Sequence, residues 1–268
     1  MTPTPEPRRE GIPAPVKSLS VVSLFNDFAS EMVYPLLPAL VTRTLGGGAV
    51  ALSLIDGASE LTSAVVKWLS GGLADRPGWR RPLILGGYLT AVLVRPLISL
   101  ASAAWQVVGF RVIDRLGKGI RTPPRDALIA EVTPARLRGR AFGFHRGADH
   151  LGAVLGSLGA WWLVAVSANV REVIGWSIAP GLLAFAILAV TLRGVPDGGA
   201  GAGGGAQSER GRRASADAAG QRFWAPVLAL AALTFCRIPE LLLLLRLQQV
   251  GVAVAAVPLV WAALHVVR

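Results

Sequence analysis

Apolar positions along this chain come in long runs broken by short polar turns. Eight stretches hold, or nearly hold, the roughly 20 mostly apolar residues that a bilayer crossing needs. They span about 19–43, 50–73, 82–102, 105–131, 138–166, 173–193, 223–245 and 252–268. In lipid only helices and closed barrels satisfy their own backbone. The runs are too long for barrel strands and lack two-residue alternation, so an all-α membrane protein is predicted. Residues 1–17 read as a disordered tail and residues 18–193 as a six-helix N-terminal half. Residues 194–222, with eight Gly and Ala from Gly198 to Gly205, read as a flexible linker. Residues 223–268 carry the first two helices of a second half.

Charge sharpens the topology. Only 16% of the 268 residues are charged, 53% are hydrophobic and mean hydropathy is +0.53. A soluble domain has roughly a quarter charged residues. The net charge of +11 is gathered in a few turns between apolar runs, which is membrane topology coding and not the footprint of a nucleic-acid binder. The tail (Arg8, Arg9, Lys17), the 2–3 turn (Arg76, Arg80, Arg81), the 4–5 turn (Arg136, Arg138, Arg140) and the linker (Arg193, Arg210, Arg212, Arg213, Arg222) carry the cations. The opposite turns hold little beyond Arg43, Arg171 and Arg246. The positive-inside rule then places the N-terminus in the cytoplasm of a bacterial inner (plasma) membrane. The first run is too long for a signal-peptide core and has no cleavage pattern. Cys236 is the sole cysteine, which excludes an intrachain disulfide.

Ionisable groups inside a span are expensive unless paired or hydrated, so each is a functional candidate. Helix 1 carries Asp27 and Glu31 four residues apart on one face, with Asn26, Ser30 and Tyr34 beside them. Helix 2 repeats the spacing with Asp56 and Glu60. Such carboxylates either take up a proton or a cationic solute in a central cavity, or pair with cations of helix 4 to hold the bundle. For Asp56, nearer the outer interface, pairing is expected. On helix 4, Arg111, Asp114, Arg115 and Lys118 fall at i, i+3, i+4 and i+7, a single stripe. That stripe must face water or opposing carboxylates, and Asp27 and Glu31 are its natural counter-charges. Pro123 and Pro124 are expected to kink or end helix 4, with Arg121 and Arg125 as interfacial anchors. Lys67 and Arg95 fit either an interface or a cavity. Helix 5 carries Gly143, Gly147, Gly152, Gly156 and Gly159, a small face for close helix packing. Asp149 and His150 lie among these glycines.

Catalytic signatures are missing. Gly117-Lys118-Gly119 lacks the rest of a phosphate loop, Gly199, Gly201 and Gly204 match a dinucleotide fingerprint only through glycine abundance, and neither G-x-S-x-G nor H-E-x-x-H occurs. Three histidines, with His145 and His150 five apart, make a poor metal site. The sequence thus implies no enzyme, cofactor or metal.

One turn is more specific than all of these. Gly71, Asp75, Arg76, Gly78, Arg80 and Arg81 fit G-x-x-x-D-R-x-G-x-R-R without a mismatch. With Arg111, Gly117 and Gly119 as R-x-x-x-x-x-G-x-G and Arg138-Gly139-Arg140 in the 4–5 turn, the chain resembles the major facilitator superfamily (MFS) of transporters over roughly residues 18–268. Arg115 stands where a glycine is usual. Gly152-x-x-x-Gly156 matches part of an antiporter signature, with Ser157 in place of its proline. The resemblance implies two six-helix halves rocking around a central site, with Asp75 and Arg76 in a cytoplasmic gate and the helix 4 arginine in proton coupling. It points to a secondary transporter of a small solute, a proton-coupled efflux permease. The family has about twelve helices, so alternating access requires helices 9–12 from a longer protein or another chain. The alternative expectation is a non-transporting membrane subunit that docks a partner chain.

Overall fold

In a computed structural model, residues 11–76, 78–166, 169–194, 226, 228–229, 232–233 and 238–267 are described. Helix α1 (Ala14–Val33) continues through a 3-10 turn (Tyr34–Leu36), a short α turn (Leu37–Ala39) and a π turn (Leu40–Thr44). Then follow α2 (Ala49–Ala74), α3 (Arg80–Leu97), α4 (Ala104–Val132), α5 (Arg138–Ala165) and α6 (Val170–Arg193, with its joint at Ser177). Helices α7 (Glu240–Gln249) and α8 (Val257–Val267) complete the described chain. No strand occurs among the described residues.

Local chemistry sets the ends of these helices. The Gln106 side chain reaches back to accept from the Ser102 and Ala103 amides at 2.7 and 3.4 Å, closing the first turn of α4. At the start of α6, Asn169 Oδ1 accepts from Arg171 N at 3.1 Å, the usual N-cap bond. Gly78 makes the 2–3 turn with a φ of +77°, a conformation that only glycine adopts without strain.

Helix α1 packs against α5 and α6, α4 lies against both α2 and α3, α3 touches α6, and α8 lies on α5. Two apolar clusters fill the bundle. One, at the arginine-rich end, joins Val16, Leu19, Val22, Ile84, Tyr88, Ile129 and Leu188. The other, at the opposite end, joins Val33, Leu36, Leu40, Leu52, Ile55, Ile98, Ile174, Leu241 and Trp261. A charged layer lies between them. Large apolar side chains such as Leu61, Trp68, Leu93, Trp105 and Trp162 point outward, and α2, α3 with its 3-10 extension (Arg80–Leu100) and α6 are long and apolar enough to cross a membrane.

Several expectations are revised. Span 1 starts five residues earlier than the apolar run, at Ala14, and its helical course ends at Thr44. Span 7 is expected at 223–245: its described residues Pro226, Leu228, Ala229, Ala232 and Leu233 are helical, and a further helix, Glu240–Gln249, begins directly after Pro239, which fits the first turn but not a helix interior. Cys236, the tail to residue 10 and the linker from 195 lie outside the described residues. Pro123 and Pro124 do not end α4, which runs on to Val132. Pro123 offers no amide to the Gly119 carbonyl, and Ser70 Oγ of α2 donates to that oxygen at 2.8 Å instead. The lost backbone bond is thereby replaced from a neighbouring helix.

The helix 5 glycines divide into two groups. A Cβ on Gly152 or Gly156 would overlap the carbonyl oxygen of Leu24 or Phe28 on α1, while one on Gly143 or Gly147 would meet nothing. Of these four only the first pair serves close packing, while Gly159 lies against the Phe28 ring. Gly152→Ala and Gly156→Ala are therefore expected to destabilise the fold by about 1–3 kcal/mol through overpacking, read as a clear fall in detergent melting temperature. Gly143→Ala and Gly147→Ala should leave it level or slightly raised, since alanine favours the helix; equal losses at all four positions would refute this division.

Candidate functional site: a buried charge layer on helices 1, 3 and 4

The stripe predicted on α4 is present and faces inward. Arg111, Asp114 and Arg115 are buried, with Arg111 only 1% exposed, while Ile113 between them is 40% exposed. Gly87 of α3 and Gly117 of α4 let the two backbones touch, and Gly119 makes room for the Val66 side chain and the Ser63 carbonyl of α2. This close approach brings a helix 3 cation to the stripe. Arg95 Nε donates to Asp114 Oδ1 at 2.9 Å, and Arg111 Nη1 donates to Asp114 Oδ2 at 3.5 Å. Arg95 Nη1 also donates to the Asn26 backbone carbonyl at 2.8 Å and to Asn26 Oδ1 at 3.1 Å. One carboxylate thus stands between two guanidiniums and ties α3 and α4 to α1.

The helix 1 carboxylates do not form the expected ion pairs with this stripe. Asp27 Oδ1 accepts from Asn26 Nδ2 at 3.0 Å. Glu31 Oε2 accepts from Trp261 Nε1 of α8 at 2.7 Å and lies 3.7 Å from His265 Nε2. The physical reason is competition: Asn26, one residue before Asp27, and Trp261 across the seam are nearer donors than the helix 4 guanidiniums. Arg111 instead sits 5.3 Å from the centre of the Tyr34 ring. Asp56 also departs from expectation, since it pairs with no helix 4 cation among the described residues. Its Oδ1 accepts from Tyr34 Oη at 2.9 Å and its Oδ2 from the Leu241 amide at 3.0 Å, which places a carboxylate at the N-terminus of α7, where the helix dipole favours it. Tyr34 stacks on Trp261 with ring centres 5.0 Å apart, and Trp261 meets His265 edge-on at 5.1 Å.

Farther toward the arginine-rich end, Arg121 and Arg125 prove not to be interfacial anchors. Both are buried. Arg121 Nη1 donates to the Gly87 carbonyl at 3.1 Å and lies over the Tyr88 ring at 4.5 Å, and Arg125 bonds Ser23 and Asp126. These partners become available because α4 continues past its prolines and stays inside the bundle. Asp149 is buried on α5 and pairs within its own helix, with Arg146 Nη1 at 3.4 Å and His145 Nε2 at 3.8 Å. It makes no direct bond to Asp114 or Glu31 among the described residues. In the 2–3 turn, Arg80 donates to the Ala74 carbonyl at 3.0 Å and pairs with Glu131 at the end of α4. Asp75 and Arg81 are both engaged, Arg76 donates its amide to the Leu73 carbonyl at 3.1 Å, and Gly71 has open space beside it.

Sequence reasoning left Arg95 undecided and passed over Asn26, Trp261 and His265 as site residues. Arg95 carried a usable signal, since it is the only charge inside the run 82–102 and a lone buried cation requires a partner. Trp261 and His265 carried none, because an aromatic and a histidine on an apolar helix look the same whether they pack or bond. Removing one member of a buried pair typically costs about 3–5 kcal/mol. Arg95→Ala should therefore lower the melting temperature sharply, and Arg95→Met with Asp114→Leu should regain most of the loss. A double variant no better than Arg95→Ala would show that the pair is not what α3 and α4 require.

Comparison with known proteins agrees with this architecture. Residues 19–267 match the Major Facilitator Superfamily. An uncharacterised MFS-type transporter of Methanocaldococcus jannaschii is 40% identical over 139 residues, 52% of this chain and 34% of that protein. Multidrug resistance protein MdtH of Aeromonas hydrophila is 33% identical over 146 residues, 54% of this chain and 36% of that protein. The matched stretch spans little more than a third of either relative. Among solved structures, a D-xylose–proton symporter superposes with a TM-score of 0.66 at 18% identity, covering 94% of this chain and 65% of that one. A bacterial homologue of the human lysosomal transporter Spinster, in an inward-facing conformation, gives 0.55 at 23% identity over 69% of this chain and 43% of that one. The chain belongs to the Major Facilitator Superfamily, a family of multi-pass membrane transporters.

Proposed function

We propose that this chain is part of a secondary transporter that exports a small solute in exchange for protons. Residues 18–193 form its first six-helix half, residues 194–222 a linker, and residues 223–268 open the second half, with the arginine-rich end in the cytoplasm of a bacterial inner membrane. Family membership supports solute transport. The proton-coupled sugar symporter among the fold neighbours and the multidrug resistance protein among the relatives are consistent with coupling and with export.

The observation that carries the reading is the position of Glu31. It lies on α1, yet its carboxylate is held by Trp261 and approached by His265, both on α8. A group that drives rocking must sit on the seam between the moving halves, where its charge changes which contacts form. Ionised Glu31 is an acceptor for Trp261 and a longer-range counter-charge for Arg115. Protonated, it loses the attraction and weakens the join between α1 and α8. Asp27, bonded through Asn26 to the Arg95–Asp114 pair, is the second candidate for the proton. Asp114 and Arg111 form a fixed pair that moves with α1 as one body against α8, and Asp149 on α5 is a peripheral candidate. Gly71, Asp75, Arg76, Gly78, Arg80 and Arg81 form the cytoplasmic gate motif, its Arg80–Glu131 pair bracing the 2–3 turn against α4.

The test is reconstitution in proteoliposomes that carry a pH-sensitive dye and an imposed gradient, challenged with a panel of organic anions and cations. Solute-dependent proton movement is expected in the parent protein, with a loss of about tenfold or more in Glu31→Gln and a smaller loss in Asp27→Asn. Unchanged pH-driven flux in Glu31→Gln, Asp27→Asn and Arg111→Ala together would reject the proposed proton site.

A further inference from the structure

The helix 4 stripe carries more positive charge than its surroundings pair. Asp114 is its one carboxylate, and Arg95 of α3 already holds that group at 2.9 Å. Arg111 reaches the second oxygen only at 3.5 Å, and its Nε–H has no hydrogen-bond partner among the described residues. Arg115, one turn further along, is 9% exposed, also has an unpartnered Nε–H, and makes neither a hydrogen bond nor a close ion pair among the described residues. Lys118 follows on the same face. The carboxylates opposite are engaged elsewhere: Glu31 by Trp261, Asp56 by Tyr34 and Leu241, and Asp27 by Asn26. Glu60 of α2 is exposed, and it and Glu31 face Arg115 only at longer range, with no hydrogen bond or close ion pair to it among the described residues.

Two buried guanidiniums on adjacent turns, each with an unfilled donor, are costly to keep unless a counter-charge visits them. A guanidinium is planar and presents its donors as a fork, which matches carboxylate and phosphate oxygens two at a time. A cationic solute would be repelled by the same stripe. The Tyr34 ring, beside Arg111 and stacked on Trp261, offers an aromatic wall for an apolar body attached to the charged head. We propose that the solute is an organic oxyanion, a carboxylate or phosphate ester bearing an apolar or aromatic group, with its head seated on Arg111 and Arg115. This inference rests on the transporter reading above and names the chemical class of the solute. Arg115, at the position where the family resemblance expects glycine, becomes its specificity-determining residue.

The experiment measures binding, so it does not depend on coupled flux. The purified full chain in detergent, at constant ionic strength, is titrated with benzoate, with phenyl phosphate and with tetraphenylphosphonium, and followed by calorimetry and thermal melting. Binding and stabilisation by either anion is expected, and the stronger of the two identifies the head group. Arg115→Gln should weaken that binding by about tenfold to a hundredfold, the loss of a charge-assisted bidentate contact, while Arg115→Lys keeps part of it. Without ligand, Arg115→Gln should melt at or above the parent temperature, because it removes a buried charge that has no hydrogen-bonded or close ionic partner among the described residues. A fall in the unliganded melt like that of Arg95→Ala would make Arg115 a structural residue and overturn the proposal. So would equal anion binding by parent and Arg115→Gln, or no anion binding at all. Stabilisation by tetraphenylphosphonium alone would also overturn it while leaving the transporter reading intact.

Discussion

Asp114 is an ionised acid buried between two arginines, and the interior of this bundle is arranged around it. Its contact with Arg95 requires α3 and α4 to run close together, which Gly87 and Gly117 allow by having no side chains at the crossing. Arg95 in turn needs acceptors for its remaining donors and finds them on Asn26 of α1. Three helices are thereby fixed in register by one carboxylate. Charges this deep are tolerated only while each keeps its partner, so the helices that carry them cannot slide independently. The apolar clusters on either side of this layer supply adhesion, while the ion pair supplies alignment.

That alignment decides what α1 can do. Its glycine-lined contact with α5 is backbone against backbone, from Leu24 to Gly152 and from Phe28 to Gly156. The same helix carries Glu31 and Tyr34 toward α8 and α7 through Trp261 and Asp56. Helix α1 is thus rigid toward its own bundle and polar toward the later helices. A seam built from hydrogen bonds to a carboxylate is weaker and more responsive to charge than one built from interdigitated glycines. This asymmetry suits a protein whose two parts must separate and rejoin.

Much of this was legible in the sequence for reasons of solvent. Long apolar runs with clustered arginines admit few folds besides a helical membrane bundle, and the i, i+3, i+4, i+7 spacing of Arg111, Asp114, Arg115 and Lys118 dictated an inward stripe. The pairings were not legible. Asp27 and Glu31 are as well spaced for Arg111 as Arg95 is for Asp114, and periodicity within one helix does not say which neighbour comes closest. Helix crossings decide that, and they depend on glycines whose roles look identical in the sequence: Gly152 and Gly156 touch α1 while Gly143 and Gly147 face open space. Local propensity also misled at Pro123 and Pro124, where Ser70 of α2 supplies from another helix the bond that the prolines remove.

The direct measurement is a charge-swap cycle at the centre of the layer. Made singly, Arg95→Asp leaves two carboxylates to share Arg111 and Asp114→Arg gathers three guanidiniums with no carboxylate between them, and each should abolish folding or lower the melting temperature severely in detergent. Made together, they restore opposite charges across α3 and α4, and the inward arrangement predicts substantial recovery. If both single variants melt like the parent, these side chains do not meet in the interior, and the buried charge layer described for helices 1, 3 and 4 is contradicted.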